Sequence, residues 1–256
     1  MPGGRKPVVI VLSTGGDRVP TVIKGQPTSE EVLQTLADLH QPVALSFSCG
    51  KDSIACWLAM REYGIETVPV YFWLVPDLRF IDEELAYFED FFGTHIYRYP
   101  NPSFFRLINN FVDQPPERLR VIEAANLPTP DYQQEWDMIM DELGLPRDTW
   151  KADGVRAADS LNRRTSFVKH GVMKQASRKV SPIADWLKAE VIGIIDRHGV
   201  KLPIDYEIFG RSFDGIDYRF TEPMREHLPD DYARLLEWFP FMASEFIRKG
   251  EDPDGF

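Results

Sequence analysis

The run Ala44-Leu45-Ser46-Phe47-Ser48-Cys49-Gly50-Lys51-Asp52-Ser53 constrains this chain more than any other stretch. Val43 to Phe47 is short, largely apolar and of strand character, whereas Lys51 to Glu62 sets Ile54, Trp57, Leu58 and Arg61 at helical spacing. The small residues Ser48, Cys49, Gly50 and Ser53 between them suit a tight loop, so strand, loop and helix are expected in that order. At such a junction the unbonded N–H groups of the helix start, the positive end of its dipole and the Lys51 ammonium converge on one oxyanion. Charge-assisted contacts of this kind contribute roughly 1.5–3 kcal/mol each, so a few of them would hold a pyrophosphate.

The spacing excludes two common phosphate loops. A Walker A loop needs glycine five residues before Gly50, where Leu45 stands, and no G-x-G-x-x-G run is present. Gly64 is a natural stop for the helix, and Thr67 to Trp73, dense in Val, Tyr and Phe, is expected as a second strand. Strand, helix, strand implies a right-handed parallel unit. Asp82 to Phe92 follows as a helix ended by Gly93, His95 to Tyr99 as a third strand and Thr149 to Ala152 as another. This alternation predicts an α/β fold: a doubly wound, mostly parallel sheet, helices on both faces and ligands at the carboxyl ends of the strands.

Other segments decorate that core. Val8 to Leu12 and Thr21 to Lys24 flank the turn residues Ser13 to Asp17 and predict an accessory hairpin. Pro27 to Glu31 supplies caps for a helix through about Leu39, with Val32, Leu33, Leu36 and Leu39 on one face. Prolines at 102, 115, 116, 128, 130 and 146 break residues 101–147 into helical pieces, read as an insertion and partly a lid that packs through Phe104, Phe105, Leu107, Ile108 and Phe111. Residues 204–256 read as a helical extension packed through Tyr232, Leu235, Leu236, Trp238 and Phe239. Residues 1–256 are expected to form one domain, with its core at 41–203.

The formal charge of −11 argues against nonspecific coating of nucleic acid, yet Lys151 to Lys179 holds eight Lys or Arg against two Asp. A basic island in an acidic chain is where phosphate is expected, with a solvated face as the competing reading. Inside it, Gly154 would let backbone approach a ligand, and Arg156, Arg163 and Arg164 offer planar forks suited to phosphate. Downstream, Asp185 is expected to cap a helix from Leu187 to His198, with Trp186 as a core anchor. Two cysteines, Cys49 and Cys56, are too few for a disulfide framework and lack partners at metal spacing, which fits a cytoplasmic, reducing setting. No apolar run is long enough to span a bilayer and the Met1 start has no signal-peptide core, so neither secretion nor membrane insertion is expected. The five histidines are scattered and form no metal or triad pattern.

Ser48, Gly50, Asp52 and Ser53 resemble the PP-loop of the adenine-nucleotide alpha-hydrolase superfamily, S-G-G-x-D-S, with Cys49 where the first glycine normally stands. Gly154-Val155-Arg156 with Asp159, Ser160 and Arg163, followed by Pro182-Ile183-Ala184-Asp185-Trp186 and Val191, is similar to a run of its phosphoadenosine-phosphosulfate reductase-like branch. The likeness covers residues 42–203. It implies binding of ATP with Mg²⁺ and cleavage between the alpha and beta phosphates, leaving an adenylylated acceptor and pyrophosphate. Ser48, Gly50, Lys51 and Ser53 would then cradle pyrophosphate, with Ser46 and Cys49 beside them. Asp52 would help hold Mg²⁺, and Arg156 and Arg163 would grip the alpha phosphate or the acceptor. Gly154, Asp159 and Ser160 would complete the nucleotide site, and Phe72 at the end of the second strand would meet adenine.

Three functions compete at this stage. One is an ATP pyrophosphatase that adenylylates an acceptor for sulfur transfer to nucleic acid, in phosphorothioation or base thiolation, with a sulfur-donor protein and nucleic-acid-modification partners. The second is a reductase of adenylyl-sulfate compounds, although the chain has no cysteine after Cys56 to attack a sulfonate. The third is a nucleotide-binding module without turnover. A homodimer is left open. Cys49, among unpaired N–H groups beside Lys51, is expected to have a depressed pKa and to be either a persulfide carrier or a small residue in a glycine slot.

Overall fold

The structure is a computed structural model that describes residues 21–250. Val8 to Leu12, half of the expected hairpin, lies outside the described residues. Its other half is no strand: residues 21–25 run as irregular chain into a turn, where the Thr21 N–H donates to the Asp185 carbonyl at 2.9 Å.

In chain order the elements are α1 (Ser29–Asp38), β1 (Val43–Ser46), α2 (Lys51–Glu62), β2 (Thr67–Trp73), α3 (Arg79–Phe92) and β3 (Tyr97–Pro100). Three helices follow, α4 (Pro102–Asn109), α5 (Pro116–Ala125) and α6 (Tyr132–Glu142). The chain continues through β4 (Lys151–Ala152), α7 (Leu161–His170), β5 (Met173–Lys174), β6 (Lys179–Val180) and α8 (Lys188–His198). Helices α9 (Asp205–Ile208), α10 (Tyr218–His227), α11 (Pro229–Trp238) and α12 (Ser244–Arg248) complete it. The strands form one sheet in the order β3-β2-β1-β4-β6-β5, parallel throughout except for β5, which runs antiparallel to β6 at the edge. The strand order therefore reverses between β1 and β4, and a crevice opens there at the carboxyl ends.

Alternation along β1 sorts the two layers. Leu45 and Phe47 join the larger apolar cluster with α2, α3 and α8, and Phe47 sets its ring edge-on to Trp57 and Phe88, each at 5.2 Å. Ala44 turns the other way and joins Val70 beneath Trp136, Ile139 and Met140 of α6. Helix α2 is buried from Ser53 to Met60, because sheet and helices enclose it on every side.

Several boundaries or roles depart from expectation. Strand β4 is limited to Lys151–Ala152 rather than starting at Thr149, and three departures come through a partner distant in sequence or a side chain that competes with the backbone. Helix α3 starts at Arg79 rather than Asp82 because the Asp231 carboxylate accepts from the Arg79 and Phe80 amides. Strand β3 starts at Tyr97 rather than His95, since the Glu89 carboxylate claims the Ile96 amide at 2.8 Å. Asp185 does not cap α8: its carboxylate receives the Ser29 amide, at 3.0 Å, and the Ser29 hydroxyl at the start of α1. Helix α8 is opened instead by Glu190, which accepts from the Leu187 amide at 2.6 Å. Leu39 falls just past the end of α1 and is exposed, while Val32, Leu33 and Leu36 are buried.

Candidate functional site at the strand-order reversal

The junction of β1 and α2 turns through Cys49, whose φ of +55° is the left-handed conformation that favours glycine. Gly50 precedes the helix in extended conformation and gives it no side-chain cap. The Ser53 hydroxyl ties the turn together by donating to the Gly50 carbonyl at 2.9 Å and accepting the Ser48 amide at 3.2 Å. Among the described residues the Asp52 and Ser53 amides donate to nothing, so the first turn of α2 keeps free donors at its positive end. The Lys51 amide is taken: it donates to the Tyr206 hydroxyl at 2.9 Å.

From the other side of the crevice, Gly154 presses on this helix start. A Cβ there would stand 2.6 Å from the Asp52 carbonyl carbon and 2.8 Å from the Ser53 nitrogen, so only glycine fits. The charged groups form a chain: Lys51 Nζ to Asp52 Oδ2 at 2.7 Å, Asp52 Oδ1 to Arg156 Nε at 2.9 Å, Arg156 Nη2 to Asp159 Oδ1 at 2.7 Å, and Asp159 Oδ2 to Arg163 Nη1 at 2.6 Å. The Asp52–Arg156 contact is an ion pair without hydrogen-bond alignment, and Asp52 Oδ1 and Arg156 Nη1 remain buried with unmet bonding capacity. Ser160 caps α7 by accepting the Arg163 amide.

Above the loop lies a cavity of about 530 Å³. Ser48, Gly50 to Ser53 and Arg163 supply one part of its wall, Tyr206 and Gly210 to Asp214 another, and Lys188 also lines it. Ser48, Gly50, Lys51, Asp52, Ser53 and Arg163 are thus brought together, whereas Arg156 lies behind Asp52, held by two carboxylates. Ser46 and Phe72 do not reach the cavity. Ser46 lines a separate small pocket, and Phe72 is covered by α6, edge-on to Trp136 at 5.3 Å.

Cys49 corrects the expectation of an activated thiol. It is fully buried, and burial first, then the charges of Glu84 and Asp205, push its pKa well up. The free amides belong to the next turn, and their field does not offset the loss of water. Cys56 is likewise buried, with its pKa raised by burial.

Tyr206, Arg211 and Ser212 were missed in the sequence. The one available signal was the run Gly210-Arg211-Ser212-Phe213-Asp214-Gly215, a second stretch of small residues around a cation. A cluster of three or more His, Cys, Asp or Glu side chains able to hold a metal is absent among the described residues. No described helix is long and apolar enough to cross a membrane. A scan against protein-family models finds no match, and no curated protein matches significantly.

Proposed function

We propose that this chain is a PP-loop ATP pyrophosphatase that splits ATP into pyrophosphate and an adenylyl group carried by an acceptor, in the service of sulfur transfer to nucleic acid. The observation that carries the proposal is the convergence, at the reversal of strand order, of an uncapped helix start, the Lys51 ammonium and a glycine pressed against that helix. In this mechanism the beta and gamma phosphates lie against the Asp52 and Ser53 amides, Lys51 and Arg211. An acceptor oxygen attacks the alpha phosphorus, the bond to the bridging oxygen breaks, and that oxygen leaves with the electron pair as pyrophosphate. Lys51 and the helix dipole stabilise the charge that gathers on it. Arg163 faces the same cavity and orients the alpha phosphate, while Arg156 and Asp159 hold Asp52 and Arg163 in place.

Asp52 lines the cavity, but its Oδ1 faces Arg156 and its Oδ2 faces Lys51. It would share in Mg²⁺ held mainly by nucleotide phosphates only through Oδ2, with Lys51 turning to phosphate, and such an ion would neutralise phosphate charge. Both cysteines of the chain are buried, which argues against the reductase reading and requires sulfur from a separate donor.

The test is calorimetric binding of ATP with Mg²⁺, followed by chromatographic identification of products. Lys51→Ala is expected to lower turnover to AMP and pyrophosphate by about 100-fold or more, with a melting temperature close to the parent's. A folded variant that binds and turns over ATP as the parent does overturns the assignment of the loop. Binding without products in either protein favours the regulatory module.

A further inference from the structure

On the opposite face of the sheet, three lysines stand side by side. Lys151 of β4 is in register with Lys179 of β6, and Lys179 with Lys174 of β5, so the three side chains share one face on neighbouring strands. Adjacent strands are about 4.8 Å apart, and like charges directly opposite one another destabilise a sheet. None of the three has a carboxylate within ion-pair distance among the described residues. Asp137 on α6 influences Lys151 only from further away, and it receives the Gln133 side-chain amide.

Lys151 is 4% exposed as a residue; its ammonium makes no hydrogen bond to protein among the described residues but is not sealed from solvent. It lines a pocket of about 130 Å³ with Lys179, Ser46, Asp153, Tyr132 and Trp136. That is room enough for one phosphate group. The acid in the pocket, Asp153, is already engaged: its Oδ1 accepts from the Ser181 hydroxyl at 2.6 Å and the Val155 amide at 3.1 Å.

We propose that Lys151, Lys179 and Lys174 form a second oxyanion site, which takes phosphate groups of a nucleic-acid backbone, with Lys151 as its buried anchor. Asp153 acts on Lys174 and Lys179 only from beyond ion-pair distance, and a bound phosphate supplies a counter-charge in direct contact. The exposed ring of Tyr132 at the pocket rim offers a face for an adjoining base. As a seat for the acceptor the row rests on the function proposed above; as an anion site it stands on the lysines alone.

The test is fluorescence anisotropy of a labelled single-stranded oligonucleotide, with inorganic phosphate as competitor. Lys151→Met and Lys179→Met are each expected to weaken oligonucleotide binding about 10-fold and to reduce the salt slope by about one counterion, whereas Lys169→Met on α7 changes it less than 2-fold. Should Lys151→Met fail to fold, Lys179→Met and Lys174→Met carry the comparison. Equal, small effects in all the folded variants overturn the proposal. Phosphate binding that depends on Lys151 without any oligonucleotide binding overturns the polymer assignment in favour of a small phosphorylated ligand. Lys51→Ala separates this inference from the preceding one: it should lose ATP and keep the oligonucleotide.

Discussion

The two walls of the cavity are made in different ways. The wall formed by Ser48 to Ser53 is largely local: a strand, a turn and a helix consecutive in sequence, with the turn closed by hydrogen bonds that span at most five residues and a long-range bond only from the Lys51 amide to Tyr206. The facing wall, Tyr206 and Gly210 to Asp214, has little regular structure and is held from below. Asp205 Oδ2 accepts the Phe213 amide at 2.9 Å, closing that segment on itself, and the Glu84 carboxylate lies against the Asp205 amide at 3.4 Å. One wall is therefore stabilised by its own backbone, the other by a buried pair of acids.

The largest expected effect strikes the second wall. Burial, reinforced by the charge of Asp205, pushes the Glu84 carboxyl up to about 8, and burial pushes Asp205 up to about 6. The native state thus keeps protons that the unfolded chain releases near pH 4 to 5, so the stabilisation is complete below that range and is lost as pH rises toward 8. Denaturant titrations should show stability falling by about 3 kcal/mol between pH 5 and 8. Glu84→Gln should flatten most of that slope, and an unchanged slope would remove the distinction between the walls.

A smaller effect is expected where the first wall meets β4. Gly154→Ala forces backbone of Asp52 and Ser53 to move, which should cost about 1–3 kcal/mol of stability and most of the ATP affinity. Retention of both would mean that the close approach does not set the loop. Smallest is Tyr206→Phe, which removes the hydroxyl from the Lys51 amide at a cost of about 1 kcal/mol or less. It should free a donor and tighten ATP binding a few-fold in calorimetry; a 10-fold loss would instead make Tyr206 a nucleotide contact.

What could be read from the sequence follows the same division. Helix α2 and strand β2 have the boundaries expected of them, because an apolar run, a helical period and Gly64 all act within a few residues. Gly154 was also legible, since close approach of backbone needs a residue without Cβ. Tyr206, Arg211 and Ser212 were not: the run of small residues around Arg211 carries no period or spacing that would assign it to a site, and their place depends on Glu84, more than a hundred residues earlier. Asp185 was misread for a related reason, as a carboxylate before a helix suits a local cap and its partner Ser29 lies 156 residues away. The Cys49 thiol was misjudged because neighbouring N–H groups are visible in a motif, whereas burial is a property of the packed whole.

The distance along the chain between the walls also sets an order of events during synthesis. About 150 residues separate Ser53 from Tyr206. At roughly 5–20 residues per second a ribosome needs about 8–30 s to make them, whereas helix and strand form in microseconds. For that interval the nascent chain can present the start of α2 with the Lys51 amide bare, before the hydroxyl that will occupy it exists. An anion met on the ribosome encounters a half-site, and only the finished polypeptide can place a tyrosine in competition with it.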